Sequence, residues 1–161
     1  MTDTQVKPRR ATDPLKMDHR HFAELFRQFR KLEADDYEKK VDLFRILTDH
    51  LAAHATLEEQ LFYPALETNV PPDQRRKVLE AREEHKIVKT LLEELAELGP
   101  EDAAFDAKMK VLADEIARHA KEEERDLFPL FNGLPEEQRD PLVRRLAARE
   151  DEWGVGRELK Q

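Results

Sequence analysis

Cysteine is absent from the 161 residues, so disulfides, iron–sulfur clusters, thiolate zinc sites and thiol redox control are all excluded. Any metal bound here must be held by nitrogen and oxygen. Nowhere do 18 apolar residues follow one another, and the N-terminus MTDTQVKPRRATDPL lacks the apolar stretch of a signal peptide; a soluble, cytoplasmic protein with no membrane partner is expected. A basic surplus is missing too. Lys and Arg number 28 against 36 Asp and Glu, a net charge of -8, with both signs mixed through nearly every segment, which argues against nucleic acid as a partner. The one compact basic run outside the body of the domain, KPRR at 7–10, reads as a solvated tail. Only 4 residues are glycine, few for a fold rich in tight turns.

What is abundant is charge. Charged residues make up 40% of the chain against roughly 25% in ordinary globular proteins, the composition of helices with heavily solvated outer faces. A chain of this length forms one domain without covalent staples. Asp13-Pro14 signals a helix start, after which Met17, Phe22, Phe26 and Phe29 recur at helical spacing. The first helix is predicted over about 14–33. A second, over about 37–67, carries Val41, Phe44, Leu47, Leu51 and Leu61, and ends at the turn NVPP. The third, about 72–98, has Val78, Val88, Leu91, Leu92 and Leu95 and stops at Gly99-Pro100. The fourth, about 101–131, has Phe105, Met109, Leu112, Ile116 and Leu127 and stops at Asn132-Gly133. Long helices with short connections predict an all-α, antiparallel up-down-up-down four-helix bundle. A short fifth helix begins near Pro135, with Leu142, Val143, Leu146 and Ala147 to dock it. The expected organisation is a flexible tail at 1–13, the bundle with its docked helix at 14–150, and a second tail at 151–161, whose Trp153 is expected to pack back on the bundle or mark a contact.

Two stretches align. Residues 54–64 read HATLEEQLFYP and residues 119–129 read HAKEEERDLFP, and a nearly equal displacement takes His19, in MDHRHFAELF, to His85, in EEHKIVKTLL. The chain therefore reads as two copies of one helical hairpin. Each copy supplies a lone histidine on its first helix and an HxxxE pair on its second: His19, His54 and Glu58, then His85, His119 and Glu123. Residues four apart share a helix face, and all six continue the apolar stripes, so they point into the core. A single core histidine is ordinarily satisfied by a backbone carbonyl. Two carboxylates and four imidazoles together are different, because burying them uncompensated costs several kcal/mol per carboxylate, a large share of the roughly 5–15 kcal/mol that holds a domain folded. Either they pair with one another or they hold cations. Four nitrogens and two carboxylates related by a pseudo-twofold suit two divalent or trivalent ions, each with two histidines and two carboxylate oxygens, and this donor set suits iron, manganese or zinc. Ferritin-like di-iron bundles use an ExxH pattern, which none of these histidines shows.

The set DH (18–19), HATLEEQLFYP, EEH (83–85) and HAKEEERDLFP, in this order and spacing, resembles the hemerythrin-like (HHE cation-binding) family over about residues 14–131. The resemblance implies two non-haem iron ions with a bridging oxide or hydroxide, held terminally by His19, His54, His85 and His119 and bridged by Glu58 and Glu123. It also implies a small exogenous ligand, dioxygen, nitric oxide or peroxide, bound for sensing, storage or detoxification. The alternative it allows is an enzyme that decomposes hydrogen peroxide or reduces nitric oxide, with a separate redox partner protein. A monomer or homodimer is expected. Oxygen-carrying members have a fifth histidine one turn after the lone one on the third helix, where this chain has Lys89. His50, one turn before His54, is left open as a fifth ligand, a pocket residue or an ordinary polar contact. His21, about 200° around the helix from His19, is expected to face solvent. Tyr63 is expected to pack as a helix-end aromatic, with donation of a hydrogen bond or an electron near the site as the lesser role. Glu59, Glu122 and Glu124 are expected to be mostly solvated or to support the ligands from outside.

Overall fold

In the computed structural model every regular element among the described residues is helical. The structure describes residues 10–153, and side chains through residue 149. The expectations for the tail before Arg10, for the tail beyond residue 153 and for the Trp153 side chain lie outside the described residues.

Helix α1 spans Asp13–Arg30, with Pro14 in its first turn, where a missing N–H costs nothing. Helix α2, Tyr37–Leu57, runs into a single π-helical turn at Glu58–Phe62 and then into α3, Tyr63–Asn69. Helix α4 is Pro72–Glu97 and α5 is Ala103–Asp126, the latter capped by the Asp102 side chain, which accepts a 2.9 Å hydrogen bond from the Ala104 N–H. A short α6, Phe128–Asn132, and α7, Glu136–Trp153, complete the described chain. Helix α1 packs on α2 and on α5, and α4 packs on α5. Short links between consecutive partners make two helical hairpins, as the repeat predicts.

Two predicted helices are interrupted, and both interruptions fall just after an HxxxE pair. Proline cannot donate a backbone hydrogen bond, and its ring collides with the carbonyl four residues earlier in a regular helix. At Pro64 the chain takes up this conflict in the π turn, where the Tyr63 N–H reaches back to the Glu58 carbonyl. At Pro129, the same place in the second copy, it breaks the helix at Leu127 instead, so the predicted fourth helix is α5 plus α6.

The apolar interior has two parts. One contains Phe22, Phe26, Leu47, Leu51, Phe105 and Leu112. The other contains Leu15, Leu57, Phe62, Leu66, Leu127 and Phe131, with Leu142 and Leu146 seating α7 on it. Along each long helix the predicted polar residues fall where one part gives way to the other. Met17 and Val41, assigned to the stripes by spacing, are instead exposed, as is Val143. No helix among the described residues is long and apolar enough to cross a membrane.

Candidate metal centre

Between the two apolar regions, the six predicted side chains converge from α1, α2, the π turn, α4 and α5. His19, His54, Glu58 and Glu123 bring one ligand atom each within 4.8 Å of one another, and so do Glu58, His85, His119 and Glu123. The two groups share both glutamates, so each pair of histidines faces the same pair of carboxylates. His54 Nε2 lies 2.9 Å from Glu58 Oε1 and His85 Nε2 lies 3.4 Å from it. On the other carboxylate, His19 Nε2 is 3.4 Å from Oε1 and His119 Nε2 is 3.2 Å from Oε2.

The orientation of the rings is uniform. Every Nε2 points inward and every Nδ1 meets a carboxylate outside the cluster. His54 Nδ1 is 2.7 Å from Asp18 Oδ2, His19 Nδ1 is 3.2 Å from Glu124 Oε2, His85 Nδ1 is 3.3 Å from Glu59 Oε1 and His119 Nδ1 is 2.5 Å from Glu84 Oε2. A carboxylate at Nδ1 keeps the proton on that nitrogen, leaves Nε2 to bind a cation and fixes the ring plane, the arrangement that metal-ligating histidines use. These outer acids obey the repeat. Asp18 and Glu84 each precede the lone histidine of their copy and hold the HxxxE histidine of the same copy. Glu59 and Glu124 each come directly after the HxxxE glutamate and hold the lone histidine of the other copy. Matching offsets in the two copies were the signal available for all four.

The interior of the cluster is short of partners. Glu58 is fully buried, and its two oxygens, Glu123 Oε1 and His19 Nε2 make no well-aligned hydrogen bond, meeting the facing groups only as close ionic contacts. Buried carboxylate oxygens without partners are costly, and cations between the two glutamates would satisfy all of these atoms together, so the donor set fits a pair of metal ions. Burial alone would push the imidazoles towards the neutral form. For His54 the Glu58 charge and the Asp18 hydrogen bond outweigh burial and raise the pKa to about 10. For His119, hydrogen bonds with Glu123 and Glu84 outweigh it and raise the pKa to about 11. Protons on these rings balance the glutamates, and a cation bound between the carboxylates would displace them.

Tyr63 corrects an expectation. Its ring is fully buried and packs near His85, but its hydroxyl reaches the centre and donates to Glu123 Oε2 at 2.7 Å, with His85 Nε2 at 2.9 Å. The π turn carries it there, because an extra residue in the turn rotates the next stretch of helix about its axis. Phe128 stands at the same place in the second copy and stacks on His19. The phenol therefore breaks the pseudo-twofold and gives one half of the centre an O–H. Burial, with the Glu123 and Glu58 charges, holds its pKa well above 10, so it remains a donor.

His21 also differs from expectation. It is 5% exposed, because α2 covers the flank of α1 on which it stands, and its Nε2 lies 2.8 Å from His50 Nδ1. His50 belongs to neither four-residue group, and its Nδ1 meets His21. Glu122 faces Arg118 at 3.2 Å on the outside. Beside the cluster, between α2 and α4, opens a cavity of about 290 Å³ walled by Leu51, Ala52, Ala55, Val88 and Leu92, with Lys89 on its lining.

The sequence profile of the Hemerythrin HHE cation binding domain matches residues 10–131. A crystal structure of a hemerythrin HHE cation binding domain-containing protein from Mycobacterium kansasii is similar to this one, with a TM-score of 0.73 at 25% identity, covering 94% of this chain and 91% of that one. A protein of a Nostoc species described as a DNA nickase is 28% identical over 127 residues, which are 78% of this chain but 35% of the length of that longer protein. With the family profile spanning both hairpins and all six converging residues, the chain belongs to the hemerythrin HHE cation-binding family.

Proposed function

We propose that the chain holds two non-haem iron ions through His19, His54, Glu58, His85, His119 and Glu123, the glutamates bridging, and that it binds a small exogenous ligand such as dioxygen, nitric oxide or peroxide in the cytoplasm. The observation that carries the reading is the sharing of Glu58 and Glu123 by two four-donor groups, in which both Glu58 oxygens and Glu123 Oε1 are buried without a well-aligned hydrogen bond. When bound, the metal pair would supply open coordination positions and electrons, either for reversible ligand capture or for redox turnover with a separate partner protein.

The chain's own residues prepare the site. Asp18, Glu124, Glu59 and Glu84 hold the four rings in one tautomer. The cavity brings apolar walls from Leu51, Val88 and Leu92 up to His19, His54 and His85 and has room for a small molecule beside them. Lys89 occupies the place of the carriers' fifth histidine, which leaves both halves with the same count of protein donors. Tyr63 Oη holds a proton inside the centre and can pass its hydrogen bond from Glu123 to an incoming ligand.

That same proton favours a second reading, catalytic decomposition of hydrogen peroxide, in which two peroxide molecules yield dioxygen and two waters and a fixed O–H assists proton transfer. Adding peroxide or nitric oxide to iron-loaded protein separates the two. A spectral change that stops at one equivalent supports capture, and sustained dioxygen release abolished by His54→Ala or Glu58→Ala supports the enzyme. No spectral response to any of these ligands would refute both.

A further inference from the structure

We infer that helix α7, which lies beyond the family-matched residues 10–131, completes the metal centre through Arg149, a positioning residue that acts on His54 by way of Asp18. The inference rests on the reading that His54 is a metal ligand.

The contacts form a single line from the outer helix to the centre. Arg149 is 4% exposed and Asp18 is 2% exposed. Arg149 Nη2 donates to Asp18 Oδ1 at 2.8 Å, and Nη1 lies 2.8 Å from Oδ2. That second oxygen also accepts from His54 Nδ1 at 2.7 Å. One hydrogen bond on Oδ1 and one close ionic contact on Oδ2 thus engage both oxygens of the acid with the same guanidinium, which limits rotation of the carboxylate more than a single contact would. The plane of Asp18 in turn fixes the plane of the His54 ring, and with it the direction of Nε2.

The other three outer acids are supported differently. The side chains of Glu84, Glu124 and Glu59 are 14%, 26% and 46% exposed, against 3% for Asp18. Water can reach them, and the nearby cations, Arg118 at 3.4 Å from Glu84 and Lys16 at 3.8 Å from Glu124, belong to the two hairpins. Asp18 is the acid that burial would leave most in need of a fixed counter-charge, and α7 provides it. Leu142 and Leu146 seat that helix on the core independently of the ion pair. Docking of α7 and cation binding by the His19–His54 half are therefore coupled. By linkage, each must strengthen the other.

Release of iron tests this. Chain loaded with Fe(II) without oxygen is dialysed against graded concentrations of a chromogenic chelator, and iron retained per chain is counted for the wild type, Arg149→Met, which keeps the aliphatic stem, and Glu84→Gln, which loosens the opposite half. The wild type should retain two equivalents. Arg149→Met should release one at roughly 10–100-fold lower chelator, the loss typical of an outer-shell change, and keep the second at the wild-type midpoint. Glu84→Gln should also release one early, and the double variant should release both. Amide exchange in α7 should slow on iron loading in the wild type and not in Arg149→Met. Wild-type retention curves in Arg149→Met, or an equal shift of both equivalents, would overturn the inference while leaving the metal centre standing. Fewer than two equivalents in the wild type would overturn the metal-centre reading and this inference with it.

Discussion

Replacing Tyr63 by phenylalanine isolates one hydroxyl in the centre of the molecule. The ring is fully buried among Phe62 and His85, and Phe128 already fills the equivalent place in the second hairpin against His19, so Tyr63→Phe should pack without rearrangement. What it removes is the 2.7 Å hydrogen bond to Glu123 Oε2, together with the 2.9 Å contact to His85 Nε2. A hydrogen bond to a charged group is worth about 1.5–3 kcal/mol. Glu123 is 2% exposed, so water cannot replace the donor. For a chain of this length each kcal/mol shifts the melting temperature by about 2–4 °C, giving a predicted fall of about 3–12 °C in protein treated with chelator. In iron-loaded protein the cations hold Glu123 and the fall should be smaller. Thermal unfolding by circular dichroism, with and without iron, reads both numbers. An unchanged melting temperature in the chelated variant, or an equal loss in both forms, would refute the role given to the phenol.

Stability should respond to pH in opposite ways with and without iron. His54 and His119 have pKa values raised to about 10 and about 11, so the stability their protonation contributes is complete below about 6.5 and is lost as pH rises towards those values; chelated protein should melt lower at pH 9 than at pH 6.5, whereas a constant melting temperature over that range would contradict the assignment. Iron binding should weaken on acidification, because protons compete for the same Nε2 atoms, and a pH-independent affinity between 5 and 8 would oppose it. His50→Ala should keep full iron content, since His50 belongs to neither four-donor group, and loss of iron in that variant would restore His50 as a ligand. Lys89→His places an imidazole on the cavity lining one turn after His85, and should slow peroxide consumption without changing iron content; an undiminished rate would show that Lys89 does not stand at a ligand position.

The bundle and its centre were legible because the six polar residues interrupt apolar stripes in register, and because the second copy repeats the interruption. What the sequence concealed has physical causes. Pro64 and Pro129 stand at matching offsets, yet one follows a π turn and the other a break, two outcomes that the shared position of the proline does not distinguish. The extra residue at Glu58–Phe62 swings Tyr63 inward, so a helix-end aromatic became a donor at the site. His21 reads as solvent-facing because a helical wheel shows one interface, whereas α1 has neighbours on two sides. Lys40 is buried for a similar reason, its ammonium held by the Ala34 carbonyl at 3.0 Å and Asp106 at 3.1 Å. Asp18 and Arg149 are far apart in the chain, and no periodicity connects an acid on α1 to a cation on α7.

The claim that two groups of four donors share Glu58 and Glu123 is tested most directly by counting iron. Protein purified with iron supplied should hold two equivalents per chain with absorption bands of an oxygen-bridged pair, and Glu58→Gln should lose both ions or the bridge between them. Iron near zero in the wild type, or two equivalents with an unaltered spectrum in Glu58→Gln, would contradict a shared-carboxylate centre.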